Sequence, residues 1–420
     1  AKIELVAPST GRLLARGACH SFPSPTDLDA SASYDDMMAF GAARVKRAVD
    51  EAGDNCLRKY AGVLLADGLR SDWRDPPAQA TPASTQEKPE TPSPLAAQLA
   101  DDAAGPNMLP TLSPSTPPGS PLGIRQIETK IGQPPFELGA TWTIPDHGGP
   151  FPAVVLIHGS GPSDRDETVV VNKPFRDLAL QLGERGIASL RFDKRTYAHA
   201  KSISLETAVT MTVEDEVIAD ALAAITAVRQ HPEVNERAIF VIGHSLGARL
   251  TPEIVQRDGR VAGAVLLAAP ARPLPEMILE QMVVAGARAD QIAAARAKAD
   301  RLAAGMMGPT ELFFGASAHY LDDLERRAPP VRARMVGKPL LFIWGERDYQ
   351  VTGKDRQIWQ RALQGVSKVS IQTFPRLNHL MIAGDGPPGP AEYQTPGVVD
   401  SSVVDAIATF VTATVATQRQ

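Results

Sequence analysis

The 420-residue chain has little cysteine, few aromatic residues and no concentration of one charge. Its longest apolar stretches, such as Ala262–Pro270, fall far short of the ~20 residues that a membrane helix needs, so the chain reads as soluble with no membrane span. A net charge of −5 with no block of Lys and Arg excludes a nucleic-acid surface. The only two cysteines, Cys19 and Cys56, both lie near the N-terminus. They read as one disulfide stapling a small exported domain, or else as two unrelated reduced thiols. The first reading places the protein in the periplasm or outside the cell, the second in the cytoplasm. Ala1–Arg12 lacks the apolar run of a secretory leader, so a leader already removed or a trimmed chain is expected. His20 beside Cys19 has no further ligands at metal spacing and reads as a surface histidine. No metal or organic cofactor is implied.

Aromatic residues are missing altogether from Arg74 to Pro135, and twelve prolines fall between Pro76 and Pro121 among Ser, Thr, Ala and Gln. Such a segment buries too little apolar surface to offset the entropy of ordering it, and reads as a semi-extended linker. Three parts follow: an N-terminal module at 1–74, a linker at 75–121 and a main domain at 122–420. In the module, Met37, Met38, Phe40, Ala42, Val45 and Val49 recur at helical spacing within Tyr34–Leu57, and a second helix is expected over Leu57–Gly68.

With a hydrophobic content of 43%, the chain has ample material for a core. In the main domain, strands are expected at Gln126–Ile131, Leu138–Ile144, Ala153–Ile157, Ile187–Phe192, Ala238–Ile242, Val261–Ala268, Lys338–Trp344 and Val369–Phe374. Helices are expected at Phe175–Arg185, Val213–Gln230, Leu246–Gln256, Lys354–Leu363 and Val399–Thr414. Near-continuous apolar strands alternating with helices imply a mostly parallel sheet covered on both faces, with ligands at the carboxyl ends of the strands. Pro273–Val336 breaks the alternation with helical-looking sequence only. It reads as a helical cap inserted at the functional edge, or as an extended crossover pair.

The strongest chemical signal is Gly243-His244-Ser245-Leu246-Gly247, between an apolar strand and a helix. This is the setting of a nucleophile elbow, whose turn is too sharp for flanking side chains. A serine hydroxyl needs a base to take its proton, and the base needs an orienting acid. Downstream of Ser245 the base is placed at His379, in the loop after the last strand; His319 falls inside the cap. The acid is placed at Asp348, directly after an apolar strand, with Glu346 as the alternative. Asp355 falls in the next helix, and Asp385 follows the base in the chain, out of the expected order. Oxyanion donors are expected from the N–H of Leu246 and from the loop His158-Gly159-Ser160-Gly161-Pro162, where Ser160 is favoured over Gly161. Asp164, Arg165, Asp166 and Glu167, with Arg191, Asp193, Lys194 and Arg195, read as ion pairs that fix the loops. Tyr349 and Tyr393 are candidates for lining the pocket.

The runs at 158–167 and Arg191–Arg195, the elbow, Ala269–Leu274, Gly345–Val351, Leu377–Leu380 and Glu392-Tyr393 resemble bacterial α/β-hydrolase carboxylesterases, which have acyl-peptidase-like relatives. From Gln126 to the C-terminus the resemblance implies an α/β-hydrolase fold, with Ser245, Asp348 and His379 as triad and esterase activity on short acyl chains. Thr196-Tyr197 stand where that family usually has glycine, and Ala248-Arg249 follow the elbow where a second small residue is usual. Both departures bear on the acyl or alcohol pocket. The expected activity is hydrolysis of small short- to medium-chain carboxylic esters through an acyl-serine. A serine peptidase acting on small peptides, an acyltransferase and a non-catalytic binding module are the alternatives. A haloalkane dehalogenase would need Asp where Ser245 stands.

Overall fold

A computed structural model describes residues 2–6, 13–18 and 123–418. Strands β1 (Lys2–Val6) and β2 (Leu13–Ala18) pair antiparallel, with Ile3 opposite Gly17 and Leu5 opposite Ala15. The sequence reading gives this region no strand, because five residues alternating with Lys and Glu are too short to stand out. The expected helices at 34–57 and 57–68, Cys19, His20, Cys56 and the proline-rich linker lie outside the described residues.

The main body is an eight-stranded sheet in the order β12-β11-β8-β7-β5-β6-β4-β3. Its strands are β3 (Ile124–Ile131), β4 (Leu138–Pro145), β5 (Phe151–Ile157), β6 (Ala188–Phe192), β7 (Val234–His244), β8 (Gly263–Leu267), β11 (Leu340–Gly345) and β12 (Val369–Phe374). All neighbours pair in parallel except β3–β4 and β4–β6. The interior strands β6, β8 and β11 are buried at every position because helices cover both faces. The edge strands β3 and β12 instead alternate between inward and exposed residues. β7 begins four residues before the expected Ala238, since the polar Asn235, Glu236 and Arg237 mask its start.

The covering helices are α1 (Pro174–Gly183), α4 (Ala219–Gln230), α5 (Leu246–Asp258), α10 (Gly353–Ala362) and α11 (Ser401–Gln418). Two short helices after β6 escape the sequence reading: α2 (Arg195–Ala198) and α3 (Leu205–Thr210), the latter capped by Ser204. The single helix expected over Val213–Gln230 opens instead with a π turn, Glu214–Ile218. The chain leaves β5 for β6 on one side and returns to β7 on the other. The loops after β5 and β7 therefore flank the crevice where ligands bind in such sheets. Among the described residues no helix is long and apolar enough to cross a membrane.

The interval 273–336 holds α6 (Leu274–Val284), α7 (Ala289–Ala303), α8 (Ala318–Arg326) and α9 (Pro329–Met335), but it is not purely helical. β9 (Leu312–Phe313) and β10 (Ala316–Ser317) form a hairpin across Phe314-Gly315, both at positive φ, as a two-residue turn of this hand requires. A buried ion pair holds the entry to this interval. The Asp355 carboxylate, in the first turn of α10, accepts from the Ala271 and Arg272 N–H groups (2.9 and 3.0 Å) and from the Arg272 guanidinium (2.9 and 3.1 Å). Its side chain is fully excluded from solvent. Asp355→Ala is expected to lower the free energy of urea unfolding by about 3 kcal/mol, the lower end for a broken buried ion pair, because Arg272 loses one carboxylate and keeps Glu280 (2.9 Å). Asp355→Asn keeps an oxygen for the two backbone donors and should lose distinctly less. Equal losses would show that the backbone bonds, not the ion pair, make the anchor.

Candidate active site

Two strand ends and two glycines form the elbow. A Cβ on Gly247 would meet the carbonyl oxygens of Ile157 and His158, and one on Gly243 would meet Thr251 and the Gly247 carbonyl. Side chains are excluded here by close backbone approach; neither glycine has a positive φ. Between them Ser245 sits at φ 51°, ψ −118°, and its N–H donates to the Leu267 carbonyl of the neighbouring strand (2.9 Å). Such a backbone costs about 1–3 kcal/mol in a residue with a side chain and persists only where its surroundings impose it. Ser245 is partly exposed, whereas Val241–His244 and Leu246–Leu250 are buried. Its carbonyl starts helix α5, so the Leu246 N–H lies at the positive end of that helix.

The base and acid candidates meet in space. His379 Nδ1 lies 2.7 Å from Asp348 Oδ2, with side-chain exposures of 5% and 0%. Asp348 Oδ1 accepts the Gln350 and Val351 N–H groups (2.8 and 2.9 Å). A carboxylate held by backbone donors only accepts, so Nδ1 carries a ring hydrogen and donates it to Asp348. The two loops are joined by close approach, because a Cβ on Gly345 would strike the Leu377 carbonyl. Arg347 N–H also donates to that carbonyl (3.0 Å), and the Asn378 side chain caps the turn by accepting from Leu380 and Ile382. Of the other candidates, Glu346 is exposed and faces Arg356 at 3.6 Å, Asp385 pairs with Arg376, His319 is exposed on α8, and Asp355 is committed to Arg272.

Except for Asp164, whose carboxylate accepts from Thr168 and the Asp166 N–H, the charged residues flanking the site are ion-paired, and several are buried. Arg165 forks onto Asp193, Arg191 faces Asp166 and Arg195 holds Asp220. Glu167 has a larger part than its place in a charged run suggests. One oxygen accepts the Gly159 N–H (2.6 Å), and the other lies 3.0 Å from His244 Nδ1. His244 Nε2 in turn donates to the His379 carbonyl (2.9 Å), and the two rings lie 4.7 Å apart. One buried acid thus links the loop after β5, the turn at Ser245 and, through His244, the loop of His379. Burial alone would lower the His244 imidazole and raise the Glu167 carboxyl. Their mutual attraction outweighs it, so His244 is raised above its ordinary value and Glu167 is lowered. The pair therefore stabilises the fold fully between about pH 4.5 and 6.5. That contribution fades as pH rises through the raised imidazole value or falls through the lowered carboxyl value.

Among the described residues no acceptor takes the N–H of Ser160, Gly161 or Leu246. Gly161 takes φ +81°, which glycine alone adopts freely. Tyr349 and Tyr393 pack 5.9 Å apart beside Leu380 and Ile382. The Tyr393 hydroxyl, pushed upward by burial, accepts from Gln350 (2.8 Å), so it braces the loop after Asp348. No group of three or more His, Cys, Asp or Glu among the described residues is arranged to hold a metal ion.

His158, just before the loop, is fully buried, and burial holds it down to about 4 despite the nearby Glu167. In an unfolded chain it would titrate near 6.5, so the native state refuses a proton that the unfolded state takes. Its contribution is full above pH 6.5 and is lost as pH falls toward 4, by on the order of 1.4 kcal/mol per pH unit. Urea unfolding of wild type and His158→Asn at pH 7, 5.5 and 4.5 should show the variant lacking this slope. Parallel pH profiles would show that His158 is not held neutral.

Residues 154–387 match the profile of the alpha/beta hydrolase family. Esterase EstD of Thermotoga maritima is 44% identical over 268 residues, 63% of this chain and 63% of that enzyme, so the chain spans less than two thirds of that relative's length. Solved structures that resemble it include the esterase Pf2001 of Pyrococcus furiosus, at 18% identity and a TM-score of 0.45, over 73% of this chain and 96% of that one. Est1E from Butyrivibrio proteoclasticus aligns at 16% identity and a TM-score of 0.44, over 69% and 99%.

Proposed function

The chain belongs to the alpha/beta hydrolase family, and we propose that it is a serine carboxylesterase acting on small esters of short- to medium-chain acids. The observation that carries this reading is the His379–Asp348 pair at 2.7 Å, with the His379 ring 4.7 Å from that of His244, the residue before a serine held at a strained strand-to-helix turn. The 44% identity to an esterase supports the choice of ester over amide.

In this reading Ser245 Oγ attacks the ester carbonyl carbon while His379 Nε2 takes its proton. Asp348 holds the ring and stabilises the imidazolium. The developing oxyanion is met by the Leu246 N–H at the head of α5 and by the Ser160 N–H, with Gly161 as the next donor. Collapse breaks the bond to the alkoxy oxygen, which leaves with the proton from Nε2. Water then attacks the acyl-serine by the same route and returns the enzyme with a free acid. No cofactor enters these steps. Residues 122–420 would form the catalytic domain, with 273–336 as its cap, following residues 1–74 and the linker 75–121. The Cys19–Cys56 pair supports a periplasmic or secreted location.

The test is hydrolysis of p-nitrophenyl esters from acetate to decanoate, and of peptide anilides, by wild type and three variants. Ser245→Ala and His379→Ala should each lower kcat by about 10⁴-fold or more, and Asp348→Asn by about 10⁴-fold. Ester turnover surviving in Ser245→Ala would sink the nucleophile assignment, and turnover of anilides alone would make the protein a peptidase.

A further inference from the structure

Beyond the triad, the loop after β5 is gripped from behind by a buried cation. Lys194 Nζ donates to the carbonyls of Gly159 (2.9 Å) and Gly161 (3.0 Å), and its third direction faces Glu216 Oε1 at 3.5 Å. A trans peptide is planar, with its C=O and N–H pointing opposite ways. The Gly159 carbonyl and the Ser160 N–H belong to one such plane. By holding the carbonyl, Lys194 aims the Ser160 N–H away from itself. On the preceding peptide, Glu167 takes the Gly159 N–H (2.6 Å), so the planes on both sides of Gly159 are fixed by buried charges of opposite sign. The second carbonyl, Gly161, precedes Pro162, whose nitrogen bears no hydrogen, so that contact holds the loop without setting a donor.

Lys194 is itself held from the interval 273–336. Glu216 lies in the π turn before α4 and accepts from Thr196 Oγ1 (2.9 Å) on one oxygen and from the Tyr320 hydroxyl (2.7 Å) on the other. Tyr320 is on α8, and one turn later Asp323 accepts the Val213 N–H (3.0 Å), just before the same π turn. Lys194, Glu216 and Tyr320 are all buried. The line Tyr320–Glu216–Lys194–Gly159 is therefore a continuous polar connection from the inserted helices to a peptide at the site. π turns that break a helix often mark functional positions.

We propose that Lys194 is the positioning residue that aims the Ser160 N–H at the oxyanion, and that Glu216 and Tyr320 make its position depend on the seating of α8. This rests on the acyl-serine reading above. Seating of α8 over a bound substrate would then complete the oxyanion site, and its displacement would loosen it. Preorganised donors of this kind owe their effect to being fixed before charge develops.

The test uses full-length wild type, Lys194→Met, Glu216→Gln and Tyr320→Phe. Three quantities are read: kcat and KM on p-nitrophenyl butyrate, the rate at which a fluorophosphonate labels Ser245, and the amide resonance of Ser160 in serine-labelled protein. Lys194→Met should lower kcat and the labelling rate by about 10²–10³-fold, the effect of losing one oxyanion donor, with KM changed less than about three-fold. Tyr320→Phe and Glu216→Gln should lower both rates by about ten-fold, and all three should move the Ser160 resonance. Tyr320→Phe removes a single oxygen, so it answers the question even if Lys194→Met does not fold. A Ser160 resonance and labelling rate unchanged in Tyr320→Phe would overturn the link to α8, and the same result in Lys194→Met would overturn the positioning role. If wild type is labelled in a Lys194-dependent way yet cleaves no ester, the positioning role stands and the ester reading falls.

Discussion

At the elbow, two backbones approach so closely that no side chain fits between them. Gly247 lies against the carbonyls of Ile157 and His158, and Gly243 against the Gly247 carbonyl. This contact brings the end of β5 to the start of α5, so the loop after one strand and the serine after the other share a single crevice. The strained backbone of Ser245 follows from it, because the turn must be completed within one residue. A similar approach, Gly345 against the Leu377 carbonyl, brings the loop of Asp348 to the loop of His379. The site is thus assembled where backbone meets backbone. Side-chain contacts there would flex with rotamer changes, whereas these cannot.

Buried charge performs the next level of positioning. Lys194 with Glu216, and Glu167 with His244, are taken out of water at the edge of a sheet. Burial of ions is costly, and each partner offsets that cost for the other, so for Glu167 and His244 the charged pair is retained. What these pairs provide is direction. Lys194, Glu167 and His244 bind backbone groups whose orientation then follows from peptide planarity, and Glu216 holds Lys194 in place. Glu167 is the most connected of them, reaching the loop, the elbow and, through His244, the backbone of His379.

The inserted helices are attached by the same means. Asp355 and Arg272 fix their entry, Glu325 accepts from Arg249 and from the Leu274 N–H, and Tyr320 reaches Glu216. These contacts engage residues on α5, on the loop after β8 and in the turn before α4. Arg249, one of the departures from the family pattern, is buried beneath this attachment, with one guanidinium nitrogen on the Arg272 carbonyl (2.6 Å). Its bulk after the elbow serves the junction with α8 and the entry loop.

The sequence alone determined the alternation of strands and helices, because interior strands of a parallel sheet must be apolar throughout. It also marked Ser245, His379 and, for the acid, Asp348 or Glu346 as candidates by their positions after strand ends, since chain order and strand ends are local properties. The π turn at Glu214–Ile218 and the Phe314-Gly315 hairpin stayed hidden, the first because it keeps helical periodicity and the second because only two residues carry it. Only the tertiary structure decided that Asp348, and not Glu346, faces His379. The two carboxylates are two residues apart in the chain, and the packing of Gly345 on Leu377 selects which one turns inward. It alone gave Lys194 and Glu167 their places as well. In the sequence they are members of charged runs, indistinguishable from solvated neighbours. Their role comes from burial beside Glu216 and Gly159, 22 and 35 residues from Lys194, and His244, 77 residues from Glu167, a relation that no local pattern encodes.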